Sequence, residues 1–151
     1  MLATVAQLVN NLHCLFLSGG DNCICTPTYH VFDMYKSHQG GEAVDTVCDC
    51  GKTDNGLNML STSASVKDDK LTLTIANLSA DTDICAQLDA VGGCVGRNAQ
   101  IITLADSDLH AHNTFENPVR VAPVLRTVAD FDGKIDIPRG GVVTVIADLA
   151  Q

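Results

Sequence analysis

The hydrophobic periodicity of the chain changes near residue 41, and this change limits the fold more than any other feature of the sequence. Before residue 41, apolar side chains recur at intervals of three and four residues, which places them on one face of a helix. After it, apolar and polar residues alternate, as they do in strands with one buried side. We therefore predict a short α/β segment over residues 1–41 and a β-rich domain over residues 42–151.

The first segment predicts a helix, a short strand and a second helix. Glycines at positions 19 and 20 favour the end of the first helix, because glycine accepts the left-handed conformation at a helix C-terminus. The apolar face of that helix would be formed by Val5, Leu8, Val9, Leu12, Leu15 and Phe16. Residues 22–26 predict the strand, Pro27 ends it, and Thr28 is positioned to cap the second helix.

The second segment predicts an antiparallel β-sandwich, so the fold class is mainly β. Turn-forming sequences at residues 67–70 and 130–133 predict two hairpin loops. Alternating runs predict strands at residues 71–75, 84–88, 134–137 and 142–146. A single helix–strand–helix unit cannot bury its apolar faces without a larger sheet, so we expect the chain to be the tail of something larger.

The charge balance of the chain excludes several classes of partner. Nine basic residues stand against eighteen acidic ones, for a formal net charge of −9. A chain this acidic has no basic surface for nucleic-acid phosphates or for anionic membranes. We find no targeting signal at the N-terminus, and seven cysteines are an odd number without disulfide-framework spacing. These features predict a cytoplasmic protein with free thiols.

The cysteines allow two interpretations. Cys23 with Cys25, and Cys48 with Cys50, form two C-x-C pairs, and four thiolates can bind zinc tetrahedrally. However, C-x-C on a strand encloses an ion poorly, so we favour small buried residues at strand positions and predict no metal or cofactor site. The cysteines expected in the core are Cys14, Cys85 and Cys94.

The histidines and carboxylates give weak signals for chemistry. His110 and His112 could bind a metal, but no third ligand is near in sequence, and the polar segment 106–118 predicts an ordered loop whose side chains bond to backbone. His13 lies among apolar residues, so we predict that it is packed. Two aspartate pairs, at residues 106 and 108 and at 130 and 132, lie in turn-like segments and are expected to be solvated.

Three sequence motifs together resemble the C-terminal part of family 51 glycoside hydrolases, the α-L-arabinofuranosidases. They are AQLVN at residues 6–10, TPTYHVFDMYKSHQ at 26–39 and LHAHNTFENP at 109–118. The resemblance covers essentially the whole chain. It implies that residues 1–41 are the last part of a (β/α)8 barrel and that residues 42–151 are a jelly-roll-like β-sandwich.

The resemblance also implies an activity and one site residue. The family removes terminal, non-reducing α-L-arabinofuranosyl groups by a retaining mechanism that uses two glutamates. Both lie upstream of the matching region, and the only glutamates here, Glu42 and Glu116, fall on neither position. We therefore predict no catalytic residue and no activity from this chain alone. Gln7 matches a glutamine that hydrogen-bonds arabinose hydroxyls, which it would do only beside a complete barrel.

The expected function is thus that of a C-terminal domain whose partner is a missing barrel or another copy of the chain. In the complete enzyme, the substrate would be an arabinofuranosyl-bearing oligosaccharide. Tyr29, His30 and the loop at 110–118 would pack at the junction between barrel and sandwich. The alternative is a β-sandwich that binds another subunit or glycan without chemistry. The absence of tryptophan and the few aromatic residues argue against a glycan-binding module.

Overall fold

The computed structural model describes residues 7–150, which form ten β-strands, one α-helix and one turn of 3₁₀-helix. The helix α1 spans Pro27–Tyr35, and the 3₁₀ turn follows it at Lys36–His38. The strands are β1 (Phe16–Gly19), β2 (Asn22–Cys25), β3 (Glu42–Val44), β4 (Leu60–Lys67), β5 (Lys70–Asn77), β6 (Ile84–Gln87), β7 (Cys94–Leu104), β8 (Val124–Val128), β9 (Lys134–Ile137) and β10 (Val142–Ala150). Within these residues, no helix is long and apolar enough to cross a membrane.

The strands after residue 41 form an antiparallel sandwich, as predicted. Six of them make one sheet in the order β3-β4-β5-β10-β7-β8, and β6 pairs with β9 in a second, smaller sheet. The four predicted strands correspond to β5, β6, β9 and β10. Between the sheets lies a core that includes Ile135 and Ile137 from β9 and Val143 and Val145 from β10, each at most 1% exposed.

The predicted hairpin at residues 67–70 is confirmed. Lys67 of β4 pairs directly with Lys70 of β5, so the loop between them has only two residues. Asp68 and Asp69 have positive φ angles of 50° and 57°, which is the conformation that a two-residue hairpin turn requires. Aspartate is one of the few residues that accept this conformation at moderate cost.

The hairpin predicted at residues 130–133 is wrong. The strand before these residues, β8, pairs with β7 in the large sheet, whereas the strand after them, β9, pairs with β6 in the small sheet. The segment therefore crosses from one sheet to the other. Phe131 is 8% exposed and belongs to the core, so burial of its ring holds the segment between the sheets. Turn-forming residues indicate a change of direction but not which strand comes next.

The first predicted helix is also wrong where the structure describes it, and Val5 lies outside the described residues. Residues 7–15 are irregular, and residues 16–25 form the antiparallel hairpin of β1 and β2. Asn10 has a φ of 53°, and its side chain bonds both the N–H and the carbonyl of Ser18 at 2.7 and 2.9 Å. The apolar residues at helical spacing do not form the buried face of a helix. Leu8 and Leu12 are instead 63% and 81% exposed.

The predicted second strand and second helix are present as β2 and α1, but the cap differs. The hydroxyl of Thr26, not Thr28, accepts a hydrogen bond from the backbone N–H of Tyr29 at 3.3 Å. Pro27 is then the first helical residue, where its missing N–H costs nothing. The helix packs on the outer face of the large sheet through Met34, which forms a second buried cluster with Leu104 and Val121.

Candidate functional site: the N-terminal junction

Residues 7–26, α1 and the loop at 105–121 meet at one side of the sandwich, and we call this region the N-terminal junction. Asn113 holds it together. Its side-chain NH₂ donates to the carbonyls of Cys25 and Val121, both at 3.0 Å, and its side-chain oxygen accepts from the N–H of Val121 at 2.8 Å. The residue is 1% exposed. The Asn113 side chain therefore joins two parts of the loop and connects the loop to the end of β2.

Thr26 makes a second connection across the junction. Besides capping α1, its hydroxyl donates to the carbonyl of Cys14 at 2.6 Å, and its backbone N–H donates to the carbonyl of Leu15 at 3.0 Å. Cys14 is 2% exposed, as predicted for a core thiol. The segment before β1 is thus bonded to the start of α1, and the N-terminal segment is anchored to the helix that covers the sheet.

Aromatic contacts complete the junction. The rings of Phe16 and Tyr29 lie 5.1 Å apart, and the His30 ring lies 5.5 Å from Tyr29 in an edge-on arrangement. Phe115 packs against Gly19, where a side-chain Cβ would come within 3.2 Å of its ring. The predicted ordered loop is confirmed, and Tyr29, His30 and Phe115 all lie at the junction.

The outward surface of the junction exposes several large apolar side chains. Leu8, Val9 and Leu12 of the irregular segment are 63%, 44% and 81% exposed, and Phe32 on α1 is 48% exposed. Val9 bridges to Phe16, which contacts Tyr29, and Phe32 lies one helical turn from Tyr29 on the same side of α1. We call the surface formed by Leu8, Val9, Leu12 and Phe32 the apolar outer face. A surface of this kind usually marks a contact with another part of a protein.

His38 anchors the end of the helical segment to the sheet. Its Nδ1 lies 2.8 Å from the Ser65 hydroxyl, and its Nε2 lies 2.9 Å from the Thr74 hydroxyl. The Thr74 hydroxyl is also 2.9 Å from that of Thr144, and both threonines are fully buried. A chain of polar groups therefore runs from the 3₁₀ turn across β4, β5 and β10. Sequence reasoning did not identify His38, because nothing in the sequence pairs it with residues so distant.

The burial of His38 predicts a loss of stability in acid. Burial lowers its pKa below the ordinary value of 6.5, so the unfolded chain takes up a proton at a higher pH than the folded chain does. The free energy of unfolding is therefore constant above about pH 6.5 and falls below it, by at most about 1.4 kcal/mol per pH unit for one histidine. Urea unfolding between pH 5 and pH 8 measures this dependence.

His38→Gln, which keeps one donor and one acceptor, should remove part of this acid dependence. His30 contributes the remainder, because burial lowers its pKa as well. The matched control is His112→Gln, since His112 is exposed and should leave the profile unchanged. An identical pH profile for wild type and His38→Gln would contradict the prediction.

The predicted substrate contact Gln7 and the two glutamates are exposed. Gln7, Glu42 and Glu116 are all exposed, and the two glutamates belong to different elements. A glycosidase acid needs a raised pKa. Hydrogen bonds from its own backbone N–H and from the Thr114 hydroxyl instead lower the pKa of Glu116. Nothing in this arrangement forms a pair of catalytic carboxylates.

The aspartate pairs and histidine pair have structural partners. The Arg120 guanidinium lies 3.5 Å from Asp106 and 3.0 Å from Asp108. Asp108 also accepts a hydrogen bond from the backbone N–H of His110, and these contacts lower the pKa of its carboxyl. The Nδ1 of His112 lies 3.0 Å from the carbonyl of His110. His13 was predicted to be packed, but it is exposed with a φ of 58°, because the helix expected to bury it does not form.

The cysteines do not assemble into a metal site in the described part of the chain. No group of three or more His, Cys, Asp or Glu side chains within residues 7–150 is placed to hold an ion. Cys23 and Cys25 lie on β2, whereas Cys48 and Cys50 lie beside the core of the sandwich. Cys85 and Cys94 were predicted to be core thiols but are exposed, because each points to the outer side of its strand.

Comparison with known proteins gives one consistent set of relatives. A family model described as "Alpha-L-arabinofuranosidase C-terminal domain" matches residues 1–139. The Bacteroides ovatus protein named "Intracellular exo-alpha-L-arabinofuranosidase" is 31% identical over 95% of this chain. The match covers 29% of that relative, so this chain spans less than a third of its length.

Solved structures agree. The GH51 arabinofuranosidase from Xanthomonas axonopodis pv. citri is 27% identical, with a TM-score of 0.76 over 95% of this chain and 30% of that one. The α-L-arabinofuranosidase from Thermotoga maritima, in an arabinose complex, has a TM-score of 0.79 over 95% of this chain and 33% of that one. At 23% identity, the second likeness shows the fold alone.

Proposed function

The chain belongs to the family of α-L-arabinofuranosidase C-terminal domains, and from this premise we propose that it is the non-catalytic C-terminal domain of an enzyme that hydrolyses terminal α-L-arabinofuranosides. The observation that carries the proposal beyond the family is the apolar outer face at the N-terminal junction. The residues of this surface all precede the sandwich in the sequence. The relatives have about two thirds of their length outside the matched region.

The apolar outer face fits a covering domain better than solvent. Phe32 and Leu12 expose large side chains, while Met34 packs against the sandwich and Cys14 is buried. The junction is thus packed on its inner side and exposes large apolar side chains on its outer side. We propose that a (β/α)8 barrel covers it, with residues 1–41 as the last part of the barrel and residues 42–151 as the sandwich. A second copy of the chain on this face is the competing arrangement.

Within such an enzyme, Gln7 is the one residue of this chain that we propose as a substrate contact. Its amide can donate to one sugar hydroxyl and accept from another. It is exposed, at the start of the described residues and beside the apolar outer face. The two catalytic glutamates would come from the barrel, since Glu42 and Glu116 are separated and exposed. We propose a cytoplasmic location, which the name of the Bacteroides ovatus relative supports.

A chimera tests this proposal. The 151-residue chain alone should release no product from a chromogenic α-L-arabinofuranoside. When it replaces the matching C-terminal part of the Bacteroides ovatus relative, the chimera should hydrolyse the same compound. Gln7→Ala in the chimera should lower kcat/KM by about tenfold or more, because it removes hydrogen bonds to the sugar.

The matched control is the Phe32→Asp chimera. The charge would lie at the covered face, so this chimera should lose activity or fail to assemble, whereas Phe32→Asp in the isolated chain should leave it folded and lower its free energy of unfolding by only about 1 kcal/mol. Hydrolysis by the isolated chain would contradict the proposed non-catalytic role. A folded but inactive chimera would contradict the proposed place of this domain beside the barrel.

A further inference from the structure

Cys48 and Cys50 lie two residues apart on a segment outside the strands. Residues 45–50 belong to no helix or strand. The segment is held on either side of the two cysteines: the Thr62 hydroxyl donates to that of Thr46 at 2.9 Å, and the N–H of Met59 donates to the carbonyl of Gly51 at 2.9 Å. Between these two attachments lie Cys48 and Cys50, two residues apart, and both pack against the core of the sandwich.

Small molecules in solvent can reach Cys48, one member of this pair. Cys48 lines an open depression of about 380 Å³ on the surface, beside Thr46, Leu57 and Leu78. Leu57 and Leu78 are 62% and 51% exposed, so the depression opens to solvent over side chains rather than through the core. Its size admits the end of a small disulfide molecule.

The other C-x-C pair provides an internal comparison. Cys23 and Cys25 lie on β2, where they pair in register with Ser18 and Phe16 of β1. Two residues along a regular strand span about 6.7 Å, which is the upper end of the Cα separation of about 4.4–6.8 Å found in disulfides. Closing a disulfide there would require the hairpin to distort, whereas residues 48–50 have no such strand pairing to break.

We propose that Cys48 and Cys50 form a redox-active dithiol that low-molecular-weight disulfides oxidise reversibly to an intramolecular disulfide. One cysteine, as thiolate, attacks the small disulfide and forms a mixed disulfide, releasing one small thiol. The second cysteine, as thiolate, then attacks the protein sulfur of the mixed disulfide and releases the second small thiol. The protein loses two electrons and two protons, and the small disulfide is reduced to two thiols.

The environment sets the rate of this reaction. Burial, with the neighbouring Cys50 thiol, raises the pKa of the Cys48 thiol. Because the thiolate is the attacking species, oxidation should accelerate by up to about tenfold per pH unit as pH rises toward the thiol pKa.

Oxidised glutathione and mass spectrometry test the proposal on the full 151-residue chain. After reduction, exposure to oxidised glutathione and alkylation, Cys48 and Cys50 should be protected, and the part of the chain that carries them should lie about 2 Da below its reduced, unalkylated mass. Trypsin should then release residues 37–52, which contain no other cysteine, as an internally linked peptide. Dithiothreitol should restore the alkylated peptide.

Two variants separate the dithiol from ordinary thiol reactivity. Cys48→Ser should leave Cys50 as a stable mixed disulfide with glutathione, because no second thiol is near to resolve it. The double variant Cys23→Ser, Cys25→Ser should leave the linking of residues 37–52 unchanged. The proposal is overturned if the wild-type peptide carries only glutathione adducts, or if Cys23 and Cys25 link as fast as Cys48 and Cys50.

Discussion

Replacing Asn113 with alanine should lower the free energy of unfolding by about 3 kcal/mol. The substitution leaves three backbone groups without their partner: the carbonyls of Cys25 and Val121 and the N–H of Val121. Each buried polar group that loses its hydrogen bond costs about 1–3 kcal/mol, and relaxation of the exposed parts of the loop recovers some of this. Urea unfolding monitored by circular dichroism measures the change.

Asn117→Ala is the matched control for Asn113. Asn117 lies in the same loop and is exposed, and its loop hydrogen bonds come from its backbone: the carbonyl accepts from the N–H of Thr114, and the N–H donates to the Thr114 hydroxyl. The control should therefore change stability by less than about 0.5 kcal/mol. Equal effects of the two substitutions would show that the Asn113 side chain does not hold the N-terminal junction together.

Met34→Ala should destabilise the chain by about 3 kcal/mol. Met34 is 3% exposed and packs with Leu104 of β7 and Val121 of the loop. The substitution leaves a cavity between α1 and the sheet, and large-to-small changes at such positions cost about 2–5 kcal/mol. The same urea experiment measures the loss, and hydrogen exchange should show that it falls on α1 as well as on the sheet.

Phe32→Ala is the control for Met34. Phe32 lies on the same helix and has a larger side chain, but it is 48% exposed on the apolar outer face. In the isolated chain its removal should cost less than about 1 kcal/mol. If Phe32→Ala is as damaging as Met34→Ala, the apolar outer face is packed within this chain, and the proposed barrel contact loses its basis.

The comparison of Met34 with Phe32 also distinguishes the side of α1 that faces the sandwich from the side that faces away from it. The helix is attached to the sandwich by its Met34 side and by His38, and it presents Phe32 away from it. The helix therefore packs on the sandwich on one side and exposes a large apolar side chain on the other. Substitutions on the side of α1 that faces the sandwich should therefore change the free energy of unfolding most. Substitutions on its outer side should change assembly with the proposed barrel most.

The sequence alone was sufficient to predict the β-sandwich and to identify the family. Strand β9 buries alternate side chains, and apolar and polar residues alternate along the sequence of β5, so their period of two is visible without any partner. The two-aspartate hairpin was predictable because its turn is local. The motifs at residues 26–39 and 109–118 indicated the family, and the family model confirmed it.

Tertiary structure decided what depends on contacts between distant residues. Residues 7–16 match a helical pattern, yet the bonds of Asn10 to Ser18 and of Thr26 to Cys14 hold them in an irregular segment and a hairpin. Residues 130–133 cross between sheets because the core buries Phe131. Asn113 and His38 form hydrogen bonds with residues that are distant in the sequence, and no local sequence pattern indicates those partners. The sequence pattern therefore indicated five of the ten strands, while side-chain burial and long-range hydrogen bonds determined how the N-terminal junction is built.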